Sequence, residues 1–193
     1  MLALANNLLE RLSQYARATS RVIAWLLGAM LLVTIFFIVA EVATRKLFGF
    51  SFRFVHEYSG YMLAIFTSWG LAHTLFEKAH IRIDIAYTKA PMPMRRALDL
   101  LAIAAMAGAG LAIAWFAWSV LGRSLANQST SNTSLSTPMW IPHMIWFAGY
   151  VWFSLVCVVL VLRAVIALLA RDMSAFDEHF SAHGSETTEI EGL

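Results

Sequence analysis

Four apolar runs are laid out along the chain, and each ends in polar or charged positions. They cover residues 22–43, 55–76, 97–121 and 143–170. At 1.5 Å per residue the first run is about 33 Å long, enough to cross a hydrocarbon core of roughly 30 Å. Between the runs the pattern changes. Ahead of them, Leu4, Leu8, Leu12 and Tyr15 recur at helical spacing among Arg11, Arg17 and Arg21. That pattern predicts an amphipathic helix over residues 1–21 on a membrane surface. After the second run, Ile81, Ile83, Ile85 and Tyr87 alternate with Arg82, Asp84 and Ala86. The period is strand-like, yet a lone strand at a bilayer would leave its backbone unpaired. A short interfacial helix ending before Pro91 is the expectation there. Residues 126–137 are almost all Asn, Gln, Ser and Thr, and read as a solvated loop. Residues 171–193 read as a polar, acidic tail.

The expected architecture is therefore all-α and polytopic. It has an N-terminal surface segment (1–21), a four-helix transmembrane domain (22–170) and a polar tail (171–193). Composition agrees. The chain is 60% hydrophobic and only 13% charged, where a soluble domain carries about 45–50% and roughly 25%. A formal net charge of +2, scattered along the chain, gives no basis for nucleic-acid binding. The Trp residues fall mostly near the ends of the runs, as an interfacial aromatic belt requires. The first run starts too late and is too long for the apolar segment of a cleaved signal. Cys157 is the only cysteine and lies inside an apolar run, so it reads as core packing.

Charge sets the orientation. Arg11, Arg17, Arg21, Lys78, Arg82, Lys89, Arg95, Arg96, Arg163 and Arg171 fall on one side, against Arg45, Lys46, Arg53 and Arg123 on the other. The positive-inside rule then predicts cytoplasmic termini. It also puts the turn before the second helix, and the Ser/Thr-rich loop, outside. The ionisable groups flanking the second helix are thereby split between two faces. Arg53, His56 and Glu57 lie outside, while His80, Arg82 and Asp84 lie inside, so they cannot form one active site.

Candidate chemistry is sparse. Glu41 and Arg45 are four residues apart and share a helix face, which predicts a structural pair near the interface. Arg163, late in the fourth run, can snorkel to the interface. Ser68 and Gly70 form a small-residue patch on the second helix. Ala104, Gly108 and Ala112 form a ridge on the third, with Gly110 and Ala114 beside it. Such patches let helices approach closely in lipid. There is no phosphate-binding glycine loop, no H-E-x-x-H and no cysteine pair. Asp and Glu are missing from the middle of every run. Autonomous ion-coupled carriers place polar groups or broken helices near the midplane, so a subunit is expected rather than a complete carrier. No catalytic, cofactor or metal site is expected. The alternative is a haem-bearing anchor of a redox complex, with axial ligands drawn from His56, His73, His80 and His143.

One set of residues is more specific. Arg45, Phe48, Gly49 and Ser51 precede an aromatic at Phe54 and an acid at Glu57. The spacing continues through Tyr61 and Gly70 to His80-Ile-Arg-Ile-Asp84, and Trp140-Ile-Pro142 precedes the last helix. This pattern resembles the small membrane subunit of tripartite ATP-independent periplasmic (TRAP) transporters, over roughly residues 20–170. Phe54 stands where the family often has Trp, and His56 where it often has a second acid. The resemblance implies a non-catalytic subunit in the bacterial inner membrane. Its partners would be a large membrane subunit, which carries the substrate and sodium sites, and a periplasmic binding protein that delivers an organic acid. Membrane lipid would surround it. Glu41, Arg45, Gly49, Glu57, Gly70, His80, Asp84 and Gly108 would then be structural or partner-interface positions.

Overall fold

A computed structural model describes residues 2–77, 91–133 and 135–170. They form four helices: α1 (Leu2–Phe48), α2 (Arg53–Phe76), α3 (Met92–Ala126) and α4 (Trp140–Leu169). The expected interfacial element near 81–90 and the tail from 171 lie outside the described residues, as do His80, Arg82 and Asp84.

The amphipathic prelude and the first apolar run are one helix, not two. α1 has 47 residues and is about 70 Å long, more than twice a hydrocarbon core. Nothing in residues 2–27 breaks it, since the segment holds neither Pro nor Gly. The two faces of this N-terminal part differ. Leu8, Leu12 and Tyr15 point outward, while Ser13, Ala16 and Ser20 are buried. The apolar stripe thus stays open to lipid, and a stripe of small residues packs inward. α1 stops at Gly49, whose φ of +69° is left-handed and whose N–H donates to the Arg45 carbonyl at 3.1 Å. A side chain at that position would strain the backbone.

The chain runs up and down four times. α4 is the hub and packs against α1, α2 and α3, while α1 and α2 pack on each other. α3 is held almost entirely by α4. One face of α3, Asp99, Ile103, Ala107, Gly110, Ala117, Leu121 and Ser124, is buried. The row Ala104, Gly108, Ala112 points outward instead. Close approach is made by Gly110 of the second row, not by the Ala104, Gly108, Ala112 ridge. A Cβ on Gly110 would lie 3.1 Å from the Phe153 ring, whereas one on Gly108 would meet nothing within 4 Å. Between α2 and α4 the tight crossing is Ser68 against Gly149, where a Cβ would come within 2.6 Å of the Ser68 hydroxyl. Gly70 faces away from that crossing into open space. Cys157 is fully buried in a core with Ala72, Phe76, Ala107, Phe153 and Val156.

Three helical stretches are long and apolar enough to cross a membrane: Asn7–Phe48, Met92–Ala126 and Trp140–Leu169. The pattern of runs predicts a fourth in α2. Its 24 residues span about 36 Å, so length is sufficient. Ser59, Thr67, Ser68, Gly70, His73 and Thr74 dilute its apolar character. Packing explains one of those residues, Ser68 at the α4 crossing, while Gly70 lines an open groove against α1.

Candidate functional site

The polar chemistry collects at the two ends of the bundle. At the end formed by the 49–52 turn, the long loop after α3 folds into a compact cap. Thr130 and Pro138 form an antiparallel bridge. The Ser131 N–H donates to the Thr137 carbonyl at 2.9 Å, and the Met139 N–H donates to the Ser129 carbonyl at 2.9 Å. Gln128 and Ser136 take positive φ values of 47° and 48° to close it, a conformation that favours small polar residues near turns.

Glu57 is the pin for this cap. It stands near the start of the 55–76 run, in the first turns of α2, among the loop's hydroxyls and ahead of the continuous apolar stretch from Tyr61 onward. It is 9% exposed. The Tyr61 hydroxyl donates to one carboxylate oxygen at 2.8 Å, and the Thr133 hydroxyl donates to the other. The Tyr61 oxygen is also 3.3 Å from the Met139 sulfur, which ties α2 to the start of α4. The Thr133 bond, joined by those from Thr137, Tyr61 and Ser131, outweighs desolvation and holds the carboxyl at about 2, well below its ordinary 4.5. The group is therefore a fixed anion at any working pH. It is suited to holding hydroxyls and unsuited to exchanging protons near neutrality.

The neighbouring turn has its own carboxylate. Glu41 accepts a hydrogen bond from the Ser51 hydroxyl at 2.8 Å, and Arg45 Nε lies 3.8 Å from it. The pair forms as the i, i+4 spacing predicts. Arg45 is largely exposed, so the ion pair itself contributes only a few tenths of a kcal/mol. The Ser51 bond, which ties the turn back onto α1, is the more useful contact. On the other side of the cap, the Ser124 hydroxyl and His143 Nδ1 are 2.7 Å apart, joining the end of α3 to the start of α4.

At the opposite end, α1 is laced to the other helices. The Arg17 guanidinium donates to the Phe76 carbonyl at 3.0 Å and sits 5.7 Å from the Phe76 ring. It thus caps the negative end of α2. Arg163 ties α4 to the N-terminal part of α1. Its guanidinium donates to the Ser13 hydroxyl at 2.6 Å. The indole N–H of Trp152 donates to the Ser20 hydroxyl at 3.2 Å; apart from these contacts of α1, Trp69 ties α2 to α4 by donating to the Ile145 carbonyl at 2.9 Å. These ties were not visible in the spacing of residues, because each joins positions far apart in sequence.

The predicted site residues therefore fall in separate places. Glu41, Arg45 and Gly49 build the turn after α1. Glu57 anchors the cap. Gly70 lines an open groove between α1 and α2, and Gly108 lies on the outward face of α3. They form no common site. Among the described residues no group of three or more His, Cys, Asp or Glu could hold a metal ion. The haem alternative finds no support. His143 is engaged with Ser124 and lies beside Trp146, whereas His56 lines a groove between α1 and α2.

Comparison with known proteins adds one decisive finding. Residues 34–167 match the family model described as tripartite ATP-independent periplasmic transporters, DctQ component. No curated protein and no solved structure gives a match. The matched stretch contains the turn at Gly49, the Glu57 cap, the α3–α4 pair and the Ser68–Gly149 crossing, and it covers well over half of the chain. The chain belongs to the DctQ family, the small membrane component of TRAP transporters.

Proposed function

We propose that the chain is a non-catalytic scaffold subunit of a sodium-coupled transporter. It braces a large elevator-type membrane subunit while that subunit takes up an organic acid delivered by a periplasmic binding protein. The observation that carries this reading is how the polar groups are used. Glu57, Glu41, Arg17 and Arg163 are bound to partners within the chain, near the ends of the bundle. They lock helices to one another, and among the described residues no carboxylate lies midway along a helix. Meanwhile α3, gripped almost entirely by α4, turns Leu101, Gly108, Leu111, Trp115 and Phe116 outward. That face is the natural contact for the large subunit, because small and aromatic residues together permit close helix packing in lipid.

In this reading α2 is the fourth span and both termini are cytoplasmic, as the distribution of Lys and Arg requires. The cap pinned by Glu57 then faces the periplasm, on the side where the binding protein arrives. Arg45, Gly49 and Glu57 keep that face rigid. The test is Glu57→Ala in the assembled transporter. Uptake or co-purification with the large subunit falls, while the ranking of substrates stays the same. A changed substrate ranking would overturn the scaffold role.

A further inference from the structure

The seam between α1 and α2 carries a feature that the scaffold role does not use. The two helices part to leave a groove of about 930 Å³, lined by Leu27, Gly28, Phe66, Thr67, Gly70 and Leu71 along its body. It is open because of its glycines: a Cβ on Gly28 or Gly70 would meet no atom within 4 Å. Past Leu27 and Phe66 it continues into a narrower groove of about 400 Å³ that shares those two residues. The charged groups are all at one mouth, where Arg21 of α1 faces Glu77 at the end of α2, with His73 beside them. From Phe66 to Glu77 the groove is about 16 Å deep, which is close to half of a roughly 30 Å hydrocarbon core.

An apolar slot one leaflet deep with charge at a single mouth has the polarity profile of a phospholipid. The mouth narrows the choice of headgroup. Arg17, one turn before Arg21, is already bound to the Phe76 carbonyl. The side chains of Arg21 and Glu77 make no hydrogen bond or ion pair among the described residues. Arg21 can therefore take a phosphate, for which guanidinium geometry is well matched. Glu77 disfavours a purely anionic headgroup and accepts from an ammonium. We propose that this groove binds a zwitterionic phospholipid bearing a primary ammonium. Its phosphate lies on Arg21, its ammonium on Glu77, and an acyl chain runs past Gly28 and Gly70. The inference needs only that the chain lies in a bilayer, and it stands or falls separately from the scaffold role.

Native mass spectrometry of the full-length chain, together with any subunit that co-purifies, tests it. The probes are phosphatidylethanolamine, phosphatidylglycerol and phosphatidylcholine, offered in equal amounts. Phosphatidylethanolamine is expected to be retained about tenfold over the other two. Arg21→Ala should lower its retention about tenfold, the loss of one charge-assisted hydrogen bond. Glu77→Gln should erase the preference for ethanolamine without lowering retention of phosphatidylglycerol. Gly70→Leu fills the body of the groove and should abolish retention of every headgroup. Arg21 is exposed, so its variant keeps the test valid if the leucine variant misfolds. Equal retention of the three lipids, a preference for phosphatidylglycerol, or indifference to Arg21→Ala would overturn the proposal. So would cross-linking of a Gly70→Cys variant to a partner helix, since a protein would then occupy the groove.

Discussion

Gly149→Ala is the sharpest test of how the bundle is held. The added methyl carbon would lie 2.6 Å from the Ser68 hydroxyl, 2.8 Å from Cδ1 of Trp69 and 2.9 Å from the Ser68 Cβ. Ordinary contact begins at 3.4 Å, so α2 must retreat by about 0.8 Å or its side chains must turn. The same indole donates to the Ile145 carbonyl, one turn before Gly149, so the methyl also pushes this bond apart. Overpacking of this kind costs about 1–3 kcal/mol, and an interhelical hydrogen bond in a membrane adds roughly 0.6 kcal/mol. Better helix propensity returns at most about 1 kcal/mol. The net loss is about 2 kcal/mol. The assay is reversible unfolding of the purified chain in mixed micelles, followed by circular dichroism. Gly70→Ala is the control, because its methyl meets nothing within 4 Å, and its stability should match or slightly exceed that of the parent. Ser68→Ala removes the nearest atom and should restore about 1 kcal/mol to the Gly149→Ala background, a coupling that a double-mutant cycle isolates. A Gly149→Ala chain as stable as the parent, or a Gly70→Ala chain less stable than Gly149→Ala, would refute the proposed α2–α4 crossing.

Two further outcomes are expected. The Glu57 carboxyl is held at about 2, and a depressed folded value stabilises the fold above the unfolded value, near 4.3, and is lost as pH falls through the folded one. The melting-temperature gap between the parent and Glu57→Gln should be constant above about pH 5 and close as pH drops from about 4.5 towards 2; a gap unchanged at pH 2 contradicts the role of the charge. Arg17→Ala removes the cap on the Phe76 carbonyl and should cost about 1–2 kcal/mol, with faster amide exchange confined to the last turn of α2 and part of the protection recovered in Arg17→Lys. Exchange that stays unchanged there would mean the guanidinium does not hold that end.

Local rules carried much of the fold. The apolar runs locate all four helices and the i, i+4 spacing locates the Glu41–Arg45 pair, although the first run ends at 43 and α1 continues to Phe48. Two things were not legible. The first is which small residues meet. Helical periodicity puts Ala104, Gly108 and Ala112 on one ridge, but it does not say whether that ridge turns towards α4. The buried row is instead Ile103, Ala107, Gly110 and Ala117, because Phe153 fills the space over Gly110. The second is the cap. A stretch of Asn, Ser and Thr reads as solvated loop, since its hydroxyls have no apolar periodicity to follow. Its fold depends on Glu57, 76 residues before Thr133, and no spacing rule links them. The continuity of α1 belongs to the same class. Periodicity finds a surface helix and a membrane helix, but only the burial of Ser13, Ala16 and Ser20 against the bundle shows why the chain runs straight from one into the other.

In the proposed scaffold role the chain supports transport without performing it. Reconstitution into liposomes tests that most directly, using the chain alone, the large subunit alone, and both together, each with the binding protein and a sodium gradient. No uptake is expected from the chain alone, and full uptake only when both membrane subunits are present. Sodium-driven uptake by this chain alone would contradict that role.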